Sequence, residues 1–117
     1  MATKEDATLL LQILQWGAMI GSNEAFQFVF SEEFDPESVD AHNPQVRTAL
    51  NFSETVGTLV KQGLLDRGLV HDLWAIDASW KRLGPAALKA RAHSGEPRMY
   101  ENFEALARSA SPALAGA

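Results

Sequence analysis

Residues 49–83 read ALNFSETVGTLVKQGLLDRGLVHDLWAIDASWKRL, and their apolar positions recur at steps of three and four in two separate runs. Ala49, Phe52, Val56, Leu59, Val60 and Gly63 make the first stripe, and Leu69, Leu73, Ile76, Trp80 and Leu83 the second. A period near 3.6 specifies amphipathic helices. The break Gly63-Leu64-Leu65-Asp66 between them makes a helical hairpin with two apolar faces that other segments must cover. This dictates an all-α fold: a single-domain bundle of five to six helices round a central hairpin, over residues 1–109, followed by a flexible tail at 110–117.

The flanking segments supply the covering helices. Thr3 with Glu5 and Asp6 behind it is a helix start, a hydroxyl cap followed by acids at the positive end of the dipole. The first helix runs to Ile20. Its residues Leu9, Leu10, Ile13, Leu14, Trp16, Ala18 and Ile20 cover more than half its circumference, whereas a surface helix needs an apolar arc of only about 100°. The first helix is therefore either central in the bundle or covered by a partner. Gly21 can end it and Ser22 can cap a second helix carrying Ala25, Phe26, Val29 and Phe30, although one long helix bent between Gly17 and Gly21 fits the same residues.

Residues 32–43 are acidic, contain Pro36 and read as the longest loop. Asn43-Pro44 opens the third helix, a cap followed by a proline whose missing N–H costs nothing there. Arg47, Asn51, Glu54, Thr58 and Lys61 mark its outward side, and Gly57, beside the stripe, would let another helix approach closely. Gly63 ends it with a left-handed residue, Leu64 or Leu65 making the accompanying apolar contact. Asp66 caps a helix that should reach Leu83, with His71 and Arg82 towards solvent. Gly84-Pro85 stops it and starts a short helix to Arg91, residues 93–97 form a loop, and Pro97 opens a last helix with Met99, Phe103, Leu106 and Ala107 on one stripe.

A formal charge of −5 speaks against a nucleic-acid binder, which needs a basic surface to neutralise phosphates. The absence of cysteine removes disulfides and thiolate sites and is compatible with a reducing cytoplasm. The first apolar run has acids where a signal peptide needs bases, and polar Gln12 and Gln15 interrupt it, so no export or membrane segment is expected. No GxSxG, GxxxxGK[ST] or GxGxxG sequence occurs. The three histidines lack the HxxxH spacing of a metal pair on one helical face, so neither a metal nor a cofactor is expected.

Two positions ask for partners. Asp77 falls at the edge of the second stripe, where a carboxylate needs a cation or several donors, and Trp74 falls outside it. Lys81, Arg91 or Arg98 could tether Asp77. If these groups enclosed a pocket instead, Asp77, Trp80, Arg82, Arg91, Arg98 and Tyr100 would bind a small anionic ligand. Self-association as a homodimer would use Leu10, Leu14, Trp16 and Trp74.

The run Asn51-Phe52-x-Glu54-x-x-Gly57-x-Leu59-Val60-Lys61-x-Gly63-Leu64-Leu65-Asp66, then Trp80 and Arg91, then Tyr100-Glu101-Asn102-Phe103-Glu104-x-Leu106-Ala107, resembles an uncharacterised bacterial family of unknown function, DUF4760. The resemblance implies an all-helical fold and brings no activity or catalytic residue with it. Many members carry membrane-spanning helices ahead of the domain, and none is expected within this sequence. It also puts Glu54, Trp80, Arg91, Tyr100 and Asn102 into one pattern that would fasten the last helix to the hairpin. The expected function is a non-enzymatic, self-associating interaction module of the cytoplasm, with a small anionic-ligand-binding domain as the alternative.

Overall fold

At the start of the chain the Thr3 hydroxyl accepts the Asp6 N–H at 3.1 Å and the Asp6 carboxylate accepts the Thr3 N–H at 2.7 Å. This reciprocal capping box satisfies two donors that a helix otherwise leaves open. The same Asp6 carboxylate accepts the N–H of Asp66 at 3.0 Å, so the cap of the first helix also ties down a turn sixty residues on. These hydrogen bonds, those of Thr3 foremost, hold the Asp6 carboxyl below the usual carboxylate range.

The computed structural model describes residues 1–109, so the expected tail at 110–117 lies outside the described residues. Six helices and no strands make up these residues: α1 (Lys4–Ile20), α2 (Ser22–Val29), α3 (Pro44–Lys61), α4 (Arg67–Leu73), α5 (Ile76–Ser94) and α6 (Glu101–Arg108). The all-α single-domain reading is thus correct. α1 and α2 are separate helices, divided at Gly21, whose φ of 82° is one that glycine adopts without strain. Ser22 is not the cap of α2 as expected; it is its first helical residue and is buried.

α3 ends as its sequence requires. Leu64 N–H reaches the Leu59 carbonyl and Gly63 N–H the Val60 carbonyl, with Gly63 at φ 74°, the paired bonds of a Schellman motif. Leu65, not the exposed Leu64, supplies the buried apolar contact.

The second half of the hairpin differs from expectation. The chain leaves helix at Trp74, which is extended at φ −117° and ψ 145°, and resumes at Ile76. The interruption shifts the register of everything after it. Leu73 becomes 47% exposed, and Asp77, instead of meeting the core edge, becomes an exposed first-turn acid of α5. No Asp77–arginine tether forms among the described residues. Gly84-Pro85 does not stop the helix either: α5 runs through it to Ser94. Gly84 is buried against the Trp80 indole, where a Cβ would sit 3.2 Å from the ring, and the carbonyl that loses its donor to Pro85 belongs to Lys81, on the exposed side. The last helix starts at Glu101, after turns over residues 97–100, and not at Pro97.

α3 is the centre. Val46, Ala49, Leu50, Phe52, Ser53, Val56 and Gly57 are all buried, too wide an arc for a helix covered on one side. Its most extensive neighbours are α6 and α2, not the next helix in the chain, so the expected central hairpin is replaced by one central helix flanked from both ends of the sequence. Phe103, Leu50, Leu83, Val29, Val46, Val56 and Val70 are the largest side chains fully removed from solvent.

The approach of α6 depends on Gly57, as its position suggested. A Cβ there would lie 2.4 Å from the Asn102 carbonyl oxygen and 3.0 Å from the Phe103 nitrogen, both backbone atoms that cannot swing aside. Gly57→Ala should therefore lower stability in chemical denaturation by about 1–3 kcal/mol, as overpacking does, although alanine is about 1 kcal/mol the better helix former.

Candidate functional site

The C-terminal helix is held by side chains from α3 and α5. The Glu54 carboxylate accepts the N–H groups of Asn102 and Phe103, each at 2.9 Å, and its other oxygen accepts Asn102 Nδ2 at 2.9 Å. A helix N-terminus presents unpaired N–H groups and a positive dipole end, so a carboxylate is the complementary partner. Glu54, placed on the outward side of α3 by periodicity and among the residues fastening the last helix by the family resemblance, is the cap of α6. Asn102 Nδ2 also donates to Thr58 Oγ1 at 3.2 Å.

Arg91 continues the attachment. Its Nε donates to the Met99 carbonyl at 2.7 Å, and Nη2 lies 3.0 Å from Glu104 Oε1, both side chains being mostly buried. That second contact is ionic and not an aligned hydrogen bond, because Nη2 has no hydrogen-bond partner of proper geometry. Arg108 takes the other oxygen of Glu104 at 2.8 Å. Arg108 first and Arg91 second hold the Glu104 carboxyl below its usual range.

The residues expected to bind an anion do not converge. Arg82 donates Nε to the Val29 carbonyl and Nη2 to the Ser31 carbonyl, both at 2.8 Å, and stacks 5.1 Å from the Phe34 centroid, so it faces the end of α2 and not solvent. Arg98 is paired with Glu101. Trp80 packs edge-on against Phe103 with centroids 5.1 Å apart. Asp77 is exposed. Tyr100 alone of the six lines a sizeable cleft. It stands at φ 60°, a left-handed conformation uncommon for an aromatic residue, where the chain turns into α6, and burial pushes its phenol up.

That cleft, about 640 Å³, lies between residues 40–42, the first turns of α3, the last turns of α5 and Tyr100. Asp40, His42, Arg47, Lys89, His93, Ser94 and Tyr100 carry its polar groups. The rings of His42 and His93 meet edge to face with centroids 5.7 Å apart, so two histidines far apart in the sequence are neighbours. His93 belongs to the last turn of α5 and not to a loop. Lys89 Nζ donates to the carbonyls of Glu37 and Val39 and so fastens the long loop as one wall. Asp40 accepts the backbone N–H of His42 at 2.8 Å, which holds its carboxyl low, and lies 3.3 Å from His42 Nδ1. The sequence carried one signal for this site that went unused: Arg47 is the only lysine or arginine between Lys4 and Lys61. No group of three or more carboxylates and histidines placed to hold a metal occurs among the described residues.

The residues expected to self-associate divide. Leu10 is in the core, Trp16 stacks on Phe52 at 5.6 Å and Trp74 meets the same ring edge-on at 5.8 Å, which accounts for the tryptophan left outside the stripe. A largely apolar hollow of about 140 Å³ opens beside it, lined by Phe26, Phe30, Phe52, Trp74 and Ile76 among others. Leu14 faces outward, 40% exposed, next to Leu11 at 62%. From Ala7 to Asn23 no residue carries a charge, so this outward side of α1 is a neutral, partly apolar surface.

No helix among the described residues is long and apolar enough to cross a membrane. An all-helical domain whose C-terminal helix is capped by a carboxylate of the central one, with a basic cleft at one end, is the class of protein that this fold defines. The family model described as Domain of unknown function (DUF4760) matches residues 2–110, and the chain belongs to that family. No curated protein and no solved structure matches it.

Two measurements test the attachment of α6. Glu54→Ala leaves the N–H groups of Asn102 and Phe103 without their acceptor and should cost about 2–3 kcal/mol in denaturant unfolding. Glu104 is held below its ordinary value of 4.5 in the folded chain, so its stabilisation is complete above about pH 5 and fades as pH falls through the lowered value. Thermal midpoints should accordingly drop less between pH 6 and pH 3 for Glu104→Gln than for the unaltered chain.

Proposed function

We propose that this domain is a self-associating helical interaction module of the bacterial cytoplasm, pairing with a second copy through the outward face of α1. The observation that carries this reading is a seam that is the same in both directions. Ala7, Leu11, Leu14 and Ala18 are all exposed and are spaced four, three and four residues apart. Alternation of three and four is the spacing of a helix–helix seam. About a two-fold axis between Gln12 and Ile13, an antiparallel copy sets Ala7 against Ala18 and Leu11 against Leu14, small against small and large against large. A two-fold interface must be self-complementary in this sense.

Chemistry and charge agree with that pairing. Burying a leucine contributes about 1.5–3 kcal/mol, and each copy would bury two. Gln12 and Gln15 flank the seam without charge, so two identical faces meet with no like-charge repulsion. α1 is roughly 25 Å long at 1.5 Å per residue, and one helix seam covers less than the ~800 Å² per partner of a standard interface. The association is therefore of moderate strength.

Sedimentation of the full chain should reveal a monomer–dimer equilibrium with a dissociation constant on the order of micromolar. Leu14→Glu sets two carboxylates against the seam and should leave a folded monomer with unchanged helical circular dichroism. A strict monomer at all accessible concentrations, or a dimer indifferent to Leu14→Glu, overturns the reading.

A further inference from the structure

The cleft between the long loop, α3 and α5 is unrelated to the α1 face and collects cationic and hydrogen-bonding groups in a chain whose formal charge is −5. Its size, about 640 Å³, falls in the range of small-molecule sites, roughly 300–1,000 Å³. Most basic groups elsewhere on the C-terminal half are engaged: Arg82 on two carbonyls, Arg91 and Arg108 on Glu104, Arg98 on Glu101. Arg47 is different. Among the described residues it has neither a carboxylate within ion-pair distance nor a side-chain hydrogen bond, although it stands near enough to Tyr100 to act on its phenol electrostatically.

The histidines add directional groups to that charge. His42 has Nδ1 beside Asp40, which leaves Nε2 without a partner among the described residues, and neither nitrogen of His93 has one. Lys89 spends two of its three N–H donors on the loop carbonyls and keeps one. Apart from the Ser94 hydroxyl, the remaining lining is apolar or amphipathic: Ala41, Ala90, Ala92, Met99 and the half-buried Tyr100. Cations and imidazoles with an apolar wall suit a ligand that has one anionic group and one hydrocarbon or aromatic portion. The single acid in the cleft, Asp40, is engaged by His42 through Oδ1, and Glu54, the other carboxylate near Tyr100, is occupied by α6.

We infer that this cleft binds a small organic anion, its charged group met by Arg47, His42 and His93 and its apolar portion lying against Met99 and Tyr100. Because the site and the α1 seam share no residue, occupancy does not require the dimer.

Titration of the isotope-labelled full chain with phenyl phosphate, inorganic phosphate and phenol, followed by amide chemical shifts, tests this directly. Phenyl phosphate should give saturable shifts centred on residues 40–47, 89–94 and 99–100 with a dissociation constant of about 1 mM or below, and should bind about tenfold more tightly than either fragment. Arg47→Ala and His93→Ala, both at exposed positions and so without effect on the thermal midpoint, should each weaken it about fivefold or more, and Leu14→Glu should leave it unchanged. Shifts that do not saturate or that spread over the whole surface overturn the inference. So does equal affinity for phenyl and inorganic phosphate, or affinity that survives both cleft substitutions.

Discussion

The contact of the Glu54 carboxylate with the first turn of α6 is the interaction on which the arrangement of the bundle depends. α6 has only eight residues, too few to persist as a helix by itself in water, so its order has to come from the rest of the molecule. Glu54 supplies acceptors for two of its open N–H groups, Gly57 removes the side chain that would hold its backbone away, and Phe103 then fills the centre of the core. Each of these three depends on the others. Without the close approach the carboxylate cannot reach the N–H groups, and without the cap the burial of Phe103 would strand polar backbone away from water.

The same attachment decides what the arginines do. Basic residues concentrated towards the C-terminal half invite the thought of an anion site, yet Arg82 and Arg91 bind backbone carbonyls that terminate helices or turns, and Arg91, Arg98 and Arg108 meet carboxylates on α6. A planar guanidinium with several donors is well suited to collecting such acceptors. The groups that line the cleft come from places a linear reading keeps apart: an arginine from α3, a lysine from α5, and two histidines 51 residues apart in the chain.

Local signals were legible wherever the chain satisfies its own backbone. The Thr3 cap, the Gly21 and Gly63 ends, the Asn43-Pro44 start and the Asp66 cap involve residues a few positions apart, and the structure has all five. Gly57 was legible as a point of close approach, though the helix that approaches was not. What failed were inferences that carried one local pattern across a tertiary interruption. The stripe from Leu69 to Leu83 assumes an unbroken helix, and the break at Trp74, whose ring packs against Phe52 of α3, turns Leu73 and Asp77 outward. Gly84-Pro85 failed in the opposite sense: a pair that ends most helices is carried inside one, with Gly84 buried under Trp80 and Pro85 leaving its unpaired carbonyl on the exposed side.

The sequence by itself determined that the chain is all-helical, where most of its helices begin, and that α1 has an apolar arc wider than a helix covered on one side needs. Those properties follow from periodicity and capping, which act within a few residues along the chain. The tertiary structure alone decided that α3 and not a hairpin is the centre, and that Arg47, His42, Lys89 and His93 share one cleft. Such groupings rest on which helix faces which, and that is set by the packing of Phe52, Phe103 and the glycine contacts among residues far apart in the chain.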